Sequence, residues 1–219
     1  ATPELHAVSW IAKVLGILVN LTRFSSMSSH RLAYFNGQWL PSGEVHIALN
    51  DYGFLLGATI VERLRTFGGQ PYRVAEHLAR LRRSLEIVQW DTDAIASEAE
   101  RAINEFMDRN AACVVAGDDW NIIAFVTPGA EFDGSQANVC VHGMPIRFGD
   151  WADQIDRGVE TVIVDVRQIP SNCWPAEMKC RSRMHYYLAD RQAVARRPGA
   201  RALLLDQRGC LAAASTAND

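Results

Sequence analysis

Between residues 76 and 89 the chain reads EHLARLRRSLEIVQ, with Leu78, Leu81, Leu85 and Val88 at helical spacing among charged and polar positions. That stripe predicts an amphipathic helix. A second helix is predicted over 94–109, where Ile95, Ala99, Ile103 and Phe106 point inward and the stretch Asp91–Asp93 offers capping residues. Strand-like segments surround this pair. LAYFNGQWL (32–40) places two apolar stretches around Asn36-Gly37, a strong hairpin signal. EVHIAL (44–49) alternates as a strand does, and so does IVERLRTF (60–67), which Gly68-Gly69 turns into the short strand PYRV. NIIAFVT (121–127) and ANVCVHGM (137–144) read as buried strands.

After PIRFGDWADQ (145–154), which has the composition of a linker, the order changes. VETVIVDV (159–166) predicts a fully buried strand, RQIPSNCWPAEM a long loop, 180–196 a helix, and RALLLD (201–206) a strand turned at Gly209 into LAAAS. Two α+β domains joined near residue 150 are the simplest reading. Residues 1–26, ahead of Met27, are expected to be an upstream or non-native extension, with an amphipathic docking helix as the alternative. The apolar run at 7–21 is short for a bilayer span and is broken by Lys13. The chain stops at STAND straight after an apolar alternation, so a truncated C-terminal domain is expected.

Composition narrows the function classes. With 48% hydrophobic and 21% charged residues, the chain is ordinary globular protein rather than disordered or low-complexity sequence. A net charge of −3 supplies no basic field for a phosphate backbone, so no nucleic-acid partner is expected, and no membrane partner either. The five cysteines form no C-x-x-C pair, and the six histidines show no ligand spacing. Neither a disulfide framework nor a metal site is expected, and a reducing, cytoplasmic location is the default.

One count changes the picture. Of 22 basic residues only Lys13 and Lys179 are lysine. Arginine carries surface charge as well as lysine does, but guanidinium keeps its proton and cannot attack a carbonyl. A lysine retained in so arginine-rich a chain is a candidate for amine chemistry. Lys179 stands between a proline-bearing loop and a helix, with Arg181 and Arg183 close by in sequence to lower its pKa.

FNG at 35–37, DYGFLLGATIVERLRTFGG, EHLARL, Lys179 and LLLDQRGCLAAASTAN follow one another in order from about Tyr34 to Asn218, and the spacing from Lys179 to Asp206 needs no gap. In these landmarks the sequence resembles the class IV aminotransferases, the pyridoxal 5′-phosphate (PLP) enzymes of fold type IV. That family includes branched-chain and D-amino-acid aminotransferases and 4-amino-4-deoxychorismate lyase. The resemblance implies a two-domain α+β enzyme with a small N-terminal domain over 27–146, a linker over 147–155 and, over 156–219, the first part of a larger cofactor-binding domain. It implies that Lys179 forms the aldimine with PLP and moves the substrate proton, that Arg80 binds the PLP phosphate, and that Ser215 and Thr216 stand beside the cofactor. It also implies amino-acid and 2-oxo-acid substrates, and a homodimer in which one subunit helps close its partner's pocket.

The departures from the family pattern matter as much. Where the family has a carboxylate that keeps the pyridine nitrogen protonated, this chain has Ala213. Met184 replaces the tyrosine of branched-chain members, PGAEFDG lacks the Arg and His of the D-amino-acid enzymes, and Glu62 stands where the lyase has a hydroxyl residue. The leading expectation is therefore a PLP-dependent aminotransferase. The alternatives are a lyase on the same scaffold, or a non-catalytic relative that has lost its electron sink.

Overall fold

The computed structural model describes residues 31–114, 117–146, 148–150 and 152–216. The expected extension at 1–26 and the chain end at 217–219 lie outside the described residues. Six strands form one antiparallel sheet: β1 (Leu32–Phe35), β2 (Gln38–Pro41), β3 (Ile60–Phe67), β4 (Gln70–Pro71), β5 (Trp120–Thr127) and β6 (Asn138–Pro145), in the order β2-β1-β6-β5-β3-β4. The hairpin predicted at Asn36-Gly37 is present, with both residues at positive φ (46° and 86°) as a two-residue turn of matching twist requires.

The short helix α1 (Tyr52–Leu55) precedes β3, while α2 (Val74–Val88) and α3 (Thr92–Arg109) cover one face of the sheet. Leu78, Leu81 and Leu85 of α2 are buried, as the apolar stripe predicts, and Asp91 caps α3 by accepting from the Ala94 N–H. Alanines 96, 99 and 102 are fully or nearly fully buried, which lets α3 approach the strands closely. Gly143 of β6 belongs to the same contact: a Cβ there would stand 2.6 Å from the Phe106 ring, so any larger residue would displace that ring from Trp120.

A second sheet joins β7 (Thr161–Arg167) to β8 (Arg201–Leu205) in parallel and β8 to β9 (Leu211–Ala214) in antiparallel order. Helix α4 (Ala152–Arg157) leads into it, and α5 (Met184–Arg196) crosses over between β7 and β8. The small core of this sheet is Val164, Ala189, Ala193, Ala202 and Leu204.

Three local expectations need correction. Residues 44–49 are not a strand: turn bonds such as Glu44 N–H to Pro41 (2.8 Å) lead into chain that joins no ladder, so the alternation records half-covered backbone only. β7 is not buried on both faces, since Val164 is buried and Ile163 exposed; α5 packs on one side of it. The predicted helix over 180–196 starts only at Met184, because residues 179–181 are instead laced to β3.

That lacing positions the site. Val61 N–H donates to the Lys179 carbonyl (3.0 Å), Arg181 N–H to the Thr59 carbonyl (2.8 Å), and Cys180 stands in register with Ile60. Lys179 N–H donates to Ser84 Oγ (3.1 Å) and Ser182 Oγ to the Gly57 carbonyl (2.7 Å). The turn ahead of β3 is held by Asp51, fully buried, which accepts from Gly53 N–H (2.6 Å), Thr127 Oγ1 (2.6 Å) and Asn138 Nδ2 (2.7 Å). Asp51→Ala strands these three donors, and urea unfolding is expected to show a loss of about 1–3 kcal/mol.

Candidate active site

Strand alternation decides which side chains meet. Cys180, paired with Ile60, packs toward the main core, so its neighbours Lys179 and Arg181 take the opposite face, the one that carries Val61 and Arg63. On that side Val61, Arg63 and Ile123 of the six-stranded sheet face Lys179, Arg181, Arg183 and Tyr186, with Ala212 to Thr216 as the far wall. The resulting cleft has a volume of about 870 Å³, within the range of small-molecule sites. Four cations line it and no carboxylate does, among the described residues.

Lys179 is half-buried in this cleft. Burial first, then the guanidiniums of Arg80, Arg183 and Arg63, pull its amine below the ordinary lysine range; Glu62 opposes them. A larger fraction of neutral, nucleophilic amine follows. Arg183 contributes as its position in sequence suggests. Arg63 and Arg80 reach the lysine through the fold, from strand and helix.

Arg80 does not line the cleft. It stands on α2, its side chain 45% exposed, and its Nε and Nη2 donate to the two oxygens of Glu62 (2.7 Å each). Glu62 is 1% exposed and also bonds His77 Nδ1 (2.8 Å). Among the described residues the Nη1 donors of Arg80 are unused, so the fork has capacity for an anion while Glu62 fixes its orientation.

The two hydroxyl residues part company. Ser215 is 2% exposed and its hydroxyl donates to Asp190 Oδ1 (2.7 Å), tying β9 to α5. Its carbonyl accepts from Arg183, whose guanidinium stacks 4.4 Å from the Tyr186 ring centroid. Thr216 is exposed at the cleft. The structure thus brings Lys179, Ser215 and Thr216 to one cleft; Arg80 stands outside its lining, yet its charge is the strongest that the Lys179 amine feels. Sequence reading missed Ile123, whose only signal was the alternation of NIIAF, and gave Arg63 no role beyond a place on a strand near a site.

A model of the family "Amino-transferase class IV" matches residues 59–218, which include β3, Lys179 and the cleft wall up to Thr216. The chain belongs to the class IV aminotransferases. Their cofactor is PLP. Solved structures of this fold include the T.th. branched-chain amino acid aminotransferase with pyridoxamine 5′-phosphate (TM-score 0.72, 23% identity), covering 85% of this chain and 62% of that one. The Escherichia coli branched-chain enzyme matches with a TM-score of 0.72 at 16% identity, over 85% and 63% of the two chains. The D-alanine aminotransferase of Staphylococcus haemolyticus is 27% identical over 77 residues, 35% of this chain and 27% of that protein. The present chain therefore spans about three-fifths of the length of the solved relatives.

As a class IV aminotransferase the chain offers fitting groups for its cofactor: an activated amine for an aldehyde, and guanidinium and hydroxyl groups for a phosphate. It offers no acid for a pyridine nitrogen along the described cleft, since Ala212, Ala213 and Ala214 form that wall. Among the described residues no group of His, Cys, Asp and Glu could hold a metal ion, and no helix is long and apolar enough to cross a membrane.

Proposed function

We propose that the protein transfers an amino group between an amino acid and a 2-oxo acid, using PLP attached to Lys179. The observation that carries this reading is the placement of Lys179: a lysine in a chain with almost none, half-buried in a cationic cleft, its amine pulled toward neutrality. When bound, PLP supplies an aldehyde for the amine and a ring that withdraws electrons from the substrate carbon. Lys179 would hold the cofactor through its amine, and that amine, when free, would take and return the substrate's Cα proton. Arg80, oriented by Glu62, serves the phosphate with its uncommitted donors, and Thr216 adds a hydroxyl at the mouth of the cleft. Ser215 supports the wall through Asp190.

The test is a half-reaction. The PLP-loaded full-length protein, mixed with an amino acid, is expected to convert to the pyridoxamine 5′-phosphate form and release a 2-oxo acid. Elimination products released with the cofactor left in its aldehyde form, and no pyridoxamine 5′-phosphate formed, would favour the lyase reading instead.

Ala213 gives a specific observation behind a slower or redirected reaction. It lies on the cleft wall where the family places an acid, and nothing nearby on that wall replaces it. Ala213→Glu is expected to accelerate the half-reaction by about tenfold, since a preorganised carboxylate would favour the protonated ring. A rate unchanged by the substitution would remove Ala213 from the account.

We further propose a cytoplasmic homodimer. Leu49, Phe54, Leu55, Leu56 and Phe132 are all more than half exposed, an apolar group on and around α1 that a second copy would cover. Sedimentation is expected to give a dimer, and Phe54→Glu with Leu56→Glu a monomer.

A further inference from the structure

Arg63 and Arg181 come to the same face of the six-stranded sheet from distant parts of the chain, and neither has a carboxylate partner among the described residues. Each is braced from behind. Arg63 Nε donates to Asn121 Oδ1 (2.9 Å), which leaves its terminal nitrogens free to face the cleft. The Arg181 guanidinium lies over Phe125, 5.4 Å from the ring centroid. His142, which meets the Phe125 ring at 6.0 Å, is held toward its neutral form by burial and then by Arg181, Arg63 and Arg31.

Two guanidiniums fixed near one another with no counter-charge repel. Partial burial, followed by the charge of Arg63, correspondingly lowers the Arg181 pKa. Such an arrangement is stabilised by an anion between the two forks, and planar forks suit a carboxylate. Along β3, Glu62, which holds Arg80, alternates with Arg63, so the Arg63 and Arg181 pair is a cluster distinct from the Arg80 fork.

We propose that Arg63 and Arg181 form the carboxylate-binding site for the amino-acid or 2-oxo-acid substrate, with the rest of the ligand lying between Val61 and Ile123 on one side and the alanine wall on the other. Naming the ligand as substrate rests on Lys179 being the cofactor's anchor; the anion site itself does not.

The test titrates the full chain with two probes separately, 4-methylvalerate by calorimetry and PLP by absorbance, for the parent and the Arg63→Gln and Arg181→Gln variants. Each variant is expected to weaken 4-methylvalerate by about tenfold or more and to leave PLP affinity within about twofold. Arg63→Lys and Arg181→Lys, which keep the charge but lose the fork, are expected to fall between. Circular dichroism establishes that each variant is folded. Equal 4-methylvalerate affinity in the parent and all folded variants, or no binding to the parent, would overturn the proposal. So would a loss of PLP affinity in place of carboxylate affinity, which would assign the pair to the phosphate. Arginine-dependent carboxylate binding by a chain that takes up no PLP would sustain the anion site and reject the cofactor reading.

Discussion

Lys179→Arg is expected to abolish amino transfer, with a fall of at least about 10³-fold in the rate of the half-reaction. The substitution keeps the charge, the length and the backbone bonds to Val61 and Ser84. What it removes is the ability to lose a proton, since guanidinium stays charged in any protein environment. Lys179→Ala removes the amine altogether and is expected to give the same loss. An added primary amine such as ethylamine should restore part of the alanine variant's activity and none of the arginine variant's, whose side chain still fills the site. A purely structural role for Lys179 predicts the reverse order, with arginine tolerated and alanine damaging. Stopped-flow absorbance with matched thermal unfolding separates the two.

Glu62 carries the largest expected effect on stability. Its carboxylate is 1% exposed, and burial alone would raise its pKa; the hydrogen bonds from Arg80 and His77 outweigh burial and hold it below the ordinary range. Glu62→Ala leaves the Arg80 guanidinium and the His77 ring facing an empty, partly desolvated space, and is expected to cost about 3 kcal/mol. Glu62→Gln keeps the volume and one acceptor and is expected to cost less. The pH dependence follows from the direction of the shift. A carboxylate whose folded pKa is lowered contributes its full stability above the unfolded value of ~4.3, and loses it as pH falls through the folded value. Urea unfolding across that acid range is expected to show a steeper loss for the parent chain than for Glu62→Gln. Because Glu62 orients Arg80, the glutamine variant should also bind PLP more weakly while leaving Lys179 reactive. Equal acid sensitivity in both proteins would contradict the bridge.

Much of this architecture was legible before any coordinates. Leu78, Leu81 and Leu85 share a helical stripe, Asp91 caps the following helix, and Asn36-Gly37 turns the first hairpin; each is a local signal with a local cause. Lys179 stood out for a chemical reason, because lysine can lose its proton and arginine cannot, and lysine is rare in this chain. The errors came where local pattern and tertiary cover diverge. Val45 and Ile47 alternate with exposed neighbours yet have no ladder partner, and the apolar run at β7 is covered on one side only. The site's electrostatics were the least legible part. Glu62 meets Arg80 and His77, and Arg63 and Arg181 come to one cleft, only once the strand register and the lacing at Ile60 and Cys180 are set. No window along the chain contains those pairs.

Borohydride reduction of the PLP-loaded chain, followed by peptide mapping, tests the central claim most directly. The account predicts one phosphopyridoxyl adduct, on the Nζ of Lys179, absent from Lys179→Ala. Stable PLP uptake with the adduct on Lys13, or with no adduct on any lysine, would contradict it.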